Sequence, residues 1–139
     1  MLTLTKTFEF CASHRLSRPD WSDEENAKHF GKCANVNGHG HNYKLEVSVS
    51  GKLDPDKSMI IDASDLDKIV SECVISQLDH KNLDKDVTWL NGKLSTVEVV
   101  ISEIWKRLEG PIESIAPNAR LEKLKLAETT RIYAELSRD

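Results

Sequence analysis

At 139 residues, with 39% hydrophobic and 30% charged residues, the chain suits one ordinary globular domain spanning 1–139 with a real buried core. No run of about 18 apolar residues is present, so no membrane-spanning helix is expected. A net charge of −4 argues against nucleic acid as the main partner, because phosphate binding wants a basic face.

The N-terminal "MLTLTKTFEF" alternates apolar with polar residues and lacks the apolar stretch of a signal peptide, which predicts a cytoplasmic protein. Cys11, Cys33 and Cys73 make an odd number with no disulfide spacing and fit a reducing compartment. Residues 3 to 14 read as a strand with Leu4, Phe8, Phe10 and Ala12 on one side. Residues 17 to 40 are polar and rich in turn formers, a loop too long for a simple hairpin and of the kind that often carries function. Arg15, Arg18, Lys28, Lys32 and Lys44 lie near it in sequence, either as a local positive funnel for a small anion or as scattered surface charge. "NYKLEVSVSG" follows, with Tyr43, Leu45, Val47 and Val49 alternating against Lys44, Glu46, Ser48 and Ser50 as a half-buried strand. "DPDK", 54 to 57, makes a turn.

From Asp62 the period changes. Leu66, Ile69, Val70, Cys73 and Val74 mark one face of a helix, which makes Cys73 a small core residue. A second helix opens at "STVE", where Ser95 and Glu98 form a capping box, and Gly110-Pro111 is expected to stop it. Two more strands close the chain, one carrying Leu124 and Leu126, the other alternating Thr130, Ile132, Ala134 and Leu136. The order ββααββ predicts an α+β fold with one antiparallel sheet covered on one face by helices, and its open edges favour oligomers that continue the sheet.

The chemistry concentrates in "GKCANVNGHGHNY", residues 31 to 43. His39 and His41 are two apart, so on a strand their imidazoles share a face, with Gly40 leaving room between them. His14 ends the first strand, and antiparallel pairing with the second brings it beside them. Three neutral imidazoles with a free fourth position suit catalytic zinc. Cys33 as a fourth ligand closes the site and makes it structural; left free, its thiolate is a base or nucleophile. Three unligated surface histidines are the bland alternative. Asp79 beside His80 offers a carboxylate that orients an imidazole, although such a pair also occurs as a helix-end feature. Glu128 falls between two predicted strands, as a turn or surface residue or as an acceptor for an amidine-like edge.

Taken in order, "FEFCASHRL", "FGKCANVNGHGHNYKLEVSVSG", "LDHKNLD", "STVE" and "AETT" resemble the 6-pyruvoyltetrahydropterin synthases and the related 6-carboxytetrahydropterin synthases of queuosine biosynthesis. The resemblance implies a T-fold, a four-stranded antiparallel sheet with two helices on one face, assembled as a homohexamer (a dimer of trimers) with active sites between subunits. It implies Zn2+ on His14, His39 and His41, Cys33 as catalytic thiol, and Asp79 with His80 as its proton-relay partners. Glu128 resembles the pterin anchor, and Thr96 and Glu98 match the segment that helps to hold the ring, which gives Glu98 two competing roles; of these the cap is preferred. Because sites form between subunits, Cys33 and Glu128 are expected to serve a site whose zinc belongs to a neighbour. The implied substrate is 7,8-dihydroneopterin triphosphate, converted with loss of triphosphate and no external redox cofactor. Five residues between Cys33 and His39 resemble the 6-pyruvoyl type, whereas "MIIDASDL" resembles the 6-carboxy type. Val97 and Ala127 depart from the pattern, where a hydroxyl-bearing residue is common.

Overall fold

The computed structural model describes residues 1–139. Strand β1 (Thr3–His14) pairs antiparallel with β2 (His39–Gly51), matching Phe8 to Leu45 and His14 to His39. β2 pairs in turn with β4 (Ala119–Thr129), and β4 with β5 (Ile132–Ser137), both antiparallel. A two-residue strand, β3 (Lys81–Asn82), lies parallel to β1 on its other side, so the sheet has five strands in the order β3-β1-β2-β4-β5. The four-stranded expectation therefore misses β3. So short a strand has no apolar alternation to announce it and exists only because its backbone meets β1.

Period-2 patterning decides which face is buried. Phe8, Phe10 and Ala12 of β1, Tyr43, Leu45, Val47 and Val49 of β2, and Leu121, Leu124 and Leu126 of β4 all turn inward. Two helical segments cover that face. α2 (Ala63–Val70) is capped by Asp62, whose carboxylate accepts the Ser64 N–H, and runs through a π-helical turn (Ser71–Ile75) into α3 (Ser76–Leu78). The wide turn carries the apolar stripe onward, so Leu66, Val70, Val74 and Leu78 are all fully buried. Cys73 packs partly buried against this core, as its position on the stripe implies.

α4 (Val97–Ile115) buries Val100, Ile104, Leu108 and Ile112, each contributing roughly 1.5–3 kcal/mol relative to exposure. Two expectations fail along it. The N-cap is Thr96, whose hydroxyl accepts the Val99 N–H at 3.3 Å, so Glu98 is one residue short of the capping-box position and is exposed. The helix also runs past Gly110-Pro111 to Ile115. Proline inside a helix costs about 3 kcal/mol; here the buried Ile112 one residue later offsets that cost and keeps the last turn docked.

The segment 17–40 is not a plain loop. It contains α1 (Asp23–Phe30), capped by Ser22, whose hydroxyl accepts the Glu25 N–H at 3.1 Å, with Asp23, Glu24 and Glu25 in the first turn. Ser22 and Glu25 have the same S-x-x-E spacing as Ser95 and Glu98, and here the serine does cap the helix. Buried Asn26 ties this helix down by accepting the Arg18 N–H and donating to the Arg18 carbonyl. The "DPDK" turn forms as expected, with Asp54 accepting the N–H groups of Asp56 and Lys57. Of the last predicted strand, Thr130 falls in the turn and β5 begins at Ile132.

Candidate metal centre

The ladder places the histidines. His14 is the last residue of β1 and sits directly opposite His39, the first of β2, while His41 follows on the same face. Their ring centroids lie 4.6 Å (14 to 39), 5.2 Å (14 to 41) and 4.8 Å (39 to 41) apart. One nitrogen from each ring lies within 4.8 Å of the others. Nitrogens bound tetrahedrally to zinc at about 2.0–2.1 Å sit about 3.3 Å apart, so a modest inward turn of the rings closes the set.

Two glycines frame the pair. Gly40 does not open space between the imidazoles; it points to the opposite face, where a Cβ would meet the Ala12 carbonyl at 3.4 Å. Gly38 carries the greater constraint. Its φ of +73° lies in the left-handed region, and a Cβ would stand 2.8 Å from the carbonyl oxygen of His14.

The electrostatics favour neutral rings. Burial, and then the neighbouring His14, holds the pKa of His39 below its ordinary 6.5. For His41 burial also dominates and lowers the value, partly opposed by Glu128. Neutral imidazoles are what a metal requires. The donor set passes a second test. His14 is 1% exposed, and its Nε2 is buried with no hydrogen-bond partner, an arrangement that is costly unless something else meets the lone pair. The hydroxyl of Tyr43, stacked on Phe10 beside the same site, is the other buried polar atom without a partner, and burial raises its pKa well above the usual range. The residues present fit a resident cation.

Glu128 is not a turn residue. It lies in β4 at the register break between Ala127 and Thr129, on the inward face shared with Leu124 and Leu126. Its Oε1 stands 3.5 Å from His14 Nε2 and 3.7 Å from His41 Nε2. The carboxylate thus reaches the histidines of its own chain.

Cys33 belongs to a 3-10 turn (Gly31–Ala34) after α1. Its carbonyl accepts the Leu16 N–H at 2.8 Å, and Arg15 donates to the neighbouring Ala34 carbonyl at 2.8 Å, which lays the segment alongside the chain just past His14. The thiol is not part of the ligand cluster. Asp79 and His80 form a separate group at the β1 edge. Asp79 accepts the Cys11 N–H at 2.9 Å and lies 3.1 Å from His80 Nδ1, and the first of these contacts chiefly depresses its pKa below 3.8. His80, with φ +60° and a side chain 81% exposed, donates its N–H to the Cys11 carbonyl. Neither residue bonds to Cys33 or to the three histidines within the chain.

Thr96 caps α4, and Glu98 is exposed and makes no hydrogen bond or ion pair to the histidine group. Two residues with no expected part in the histidine group do belong to it: Ser95, expected only as a helix cap, and Asp84. Ser95 is buried, with its carbonyl 2.8 Å and its hydroxyl 3.2 Å from His14 Nδ1, and that hydroxyl donates to Asp84 at 2.5 Å. The basic residues divide. Arg15 and Arg18 line a cavity of about 790 Å³ together with Lys85 and Lys93, but Arg15 pairs with Asp23 and Arg18 with Asp20. Lys28, Lys32 and Lys44 lie outside this cavity.

Comparison with known proteins points one way. A family model described as 6-pyruvoyl tetrahydropterin synthase matches residues 3–139. The 6-pyruvoyl tetrahydrobiopterin synthase of Pongo abelii is 46% identical over 126 residues, which is 91% of this chain and 84% of that protein. The solved structure of Caenorhabditis elegans 6-pyruvoyl tetrahydropterin synthase superposes with a TM-score of 0.87 at 36% identity, covering 99% of this chain and 96% of the other. More distantly, the 6-carboxy-5,6,7,8-tetrahydropterin synthase of Haemophilus influenzae is 39% identical over 83 residues, covering 58% of this chain and 50% of that protein.

Proposed function

The chain belongs to the 6-pyruvoyl tetrahydropterin synthase family, and we propose that it is a zinc-dependent lyase acting on 7,8-dihydroneopterin triphosphate, with triphosphate release and a 6-pyruvoyl product. One observation carries this function above the others. Three imidazoles converge, and the buried Nε2 of His14 has no hydrogen-bond partner, with only the Glu128 carboxylate near it at 3.5 Å. Zn2+ held by His14, His39 and His41 supplies Lewis acidity beside a substrate side chain on which negative charge develops.

The chain's own groups do the rest. The Glu128 carboxylate, next to the histidines, accepts from the amino and ring N–H edge of a pterin and orients it. Thr96, one residue past Ser95 at the start of α4, borders the same region, with Glu98 as a secondary contact. Cys33 lies outside the ligand set, which leaves its thiolate available to take and return protons at the substrate side chain. Asp79 orients His80 for proton relay.

Since Asp79 and His80 make no hydrogen bond or ion pair to Cys33 within the chain, the site is completed by assembly, in T-fold homohexamers that join sheets between subunits. The outer strand β5, which exposes Ile132 and Tyr133, supports this. No helix is long and apolar enough to cross a membrane, and the three free cysteines fit a reducing, cytoplasmic setting.

The 6-pyruvoyl product is favoured over the 6-carboxy product by the names of the relatives that match most of the chain and by the five-residue gap from Cys33 to His39. Mass spectrometry of the product formed from 7,8-dihydroneopterin triphosphate decides it. A product retaining all three side-chain carbons is expected; release of acetaldehyde places the enzyme in the 6-carboxy class, and no turnover overturns the function.

A further inference from the structure

Behind His14, on the side away from Glu128, a short chain of hydrogen bonds links three distant segments. His14 Nδ1 is 2.8 Å from the Ser95 carbonyl and 3.2 Å from the Ser95 hydroxyl. The carbonyl can only accept. The hydroxyl has a single hydrogen, and it is spent on Asp84 Oδ1 at 2.5 Å, so toward the ring it too can only accept. Both partners therefore demand a proton on Nδ1, which in the neutral ring leaves the lone pair on Nε2, buried without a hydrogen bond and facing the Glu128 carboxylate at 3.5 Å.

Asp84 is itself held from several directions. Its Oδ2 accepts the Arg15 N–H at 2.7 Å, one residue past His14, and its own N–H donates to Asn82 Oδ1 at 2.9 Å. The next segment inward is fixed to β1 by the Leu83 N–H, which donates to the Ser13 carbonyl at 2.8 Å. The end of β1, the turn after β3 and the start of α4 thus meet at one carboxylate.

We propose that Asp84, acting through Ser95, is a positioning residue that sets the tautomer and aim of His14; this rests on the assignment of His14 as a metal ligand. Outer-sphere carboxylates of this kind commonly change metal affinity by 10–100-fold when removed. Asparagine cannot replace Asp84, because one of its two faces presents N–H groups either to the Ser95 hydroxyl or to the Arg15 N–H. Serine to alanine at 95 keeps the carbonyl contact but frees Asp84 from the ring.

The test has two arms. In the metal-free wild-type protein, 15N NMR of the histidine rings at a pH high enough to neutralise them is expected to place the His14 proton on Nδ1; a neutral ring with its proton on Nε2 overturns the proposal. In the second arm, Zn2+ affinity is measured by competition with a chelator for wild type, Ser95→Ala, Asp84→Asn and Ser95→Thr. Ser95→Ala and Asp84→Asn are expected to lose about 10–100-fold, with Ser95→Thr close to wild type and apo melting curves still cooperative. Wild-type affinity in a folded Ser95→Ala or Asp84→Asn protein overturns it. If Asp84→Asn does not fold, Ser95→Ala carries this arm. If wild type binds no zinc, the metal assignment fails, and the NMR arm still decides the tautomer.

Discussion

Replacing Gly38 by alanine tests how tightly the backbone before β2 is fitted to His14. The new Cβ meets two penalties. At φ +73° an L-residue in the left-handed region costs about 1–2 kcal/mol, partly offset by about 0.4–1 kcal/mol from a stiffer unfolded chain. The Cβ also stands 2.8 Å from the His14 carbonyl oxygen, and that oxygen belongs to a strand held in the ladder by β2, so it cannot step aside cheaply. Overpacking of this sort costs about 1–3 kcal/mol. Gly92 supplies the control, because it has nearly the same φ, +75°, and nothing within 4 Å of its would-be Cβ. Gly92→Ala should therefore cost about 1 kcal/mol or less, and Gly38→Ala about 2–4 kcal/mol. Urea unfolding of the two metal-free variants reads the difference directly. Zinc affinity should fall only for Gly38→Ala, since the displaced carbonyl is that of a ligand. Equal stability for the two variants would refute the reasoning.

Cys33→Ala should keep its zinc, its fold and its melting temperature while losing turnover by about 10²–10⁴-fold; lost zinc would instead make Cys33 a ligand and the site structural. The lowered pKa values of His39 and His41 set a pH dependence. Below pH 6.5 the unfolded chain binds protons that the folded metal-free protein refuses, so stability falls as pH drops through 6.5 toward the folded values. Thermal melts between pH 7 and 5 should show that decline, and a His39→Gln, His41→Gln double variant should flatten it; an unchanged slope would remove the two rings as its cause. Tyr43→Phe deletes a buried hydroxyl that lacks a partner, so the metal-free variant should be as stable as wild type or more so by up to about 1 kcal/mol. A loss above about 2 kcal/mol would show that the hydroxyl is paired in solution.

Much of the histidine cluster was readable because β-strands have a fixed period. His39 and His41 had to share a face, and a histidine ending one strand had to meet a pair opening its antiparallel neighbour. Other features depend on partners far along the chain. Ser95 and Thr96 are adjacent and equally good caps, and local sequence cannot tell which one serves. Ser95 is drawn away by Asp84 and His14, so the cap falls to Thr96. Local sequence leaves Glu128 open between a turn or surface residue and an acceptor, because its placement depends on a register break in β4. α1 is a different kind of miss. Ser22 with Glu25 carried the start signal, but the helix buries only Asn26, so no apolar stripe reinforced it. Pro111 likewise reads as a stop until the burial of Ile112 is known. The pairing of Asp79 with His80 was legible, whereas the anchoring of both to Cys11 rather than to Cys33 was not.

The most direct test of a zinc-dependent triphosphate lyase is a titration. Protein stripped with a chelator is given Zn2+ in steps, and release of inorganic triphosphate from 7,8-dihydroneopterin triphosphate is measured at each step. Activity should be absent at the start and rise in proportion to bound zinc until the histidine site of each chain is filled. Full activity in the stripped protein, or none once that site holds zinc, would contradict it.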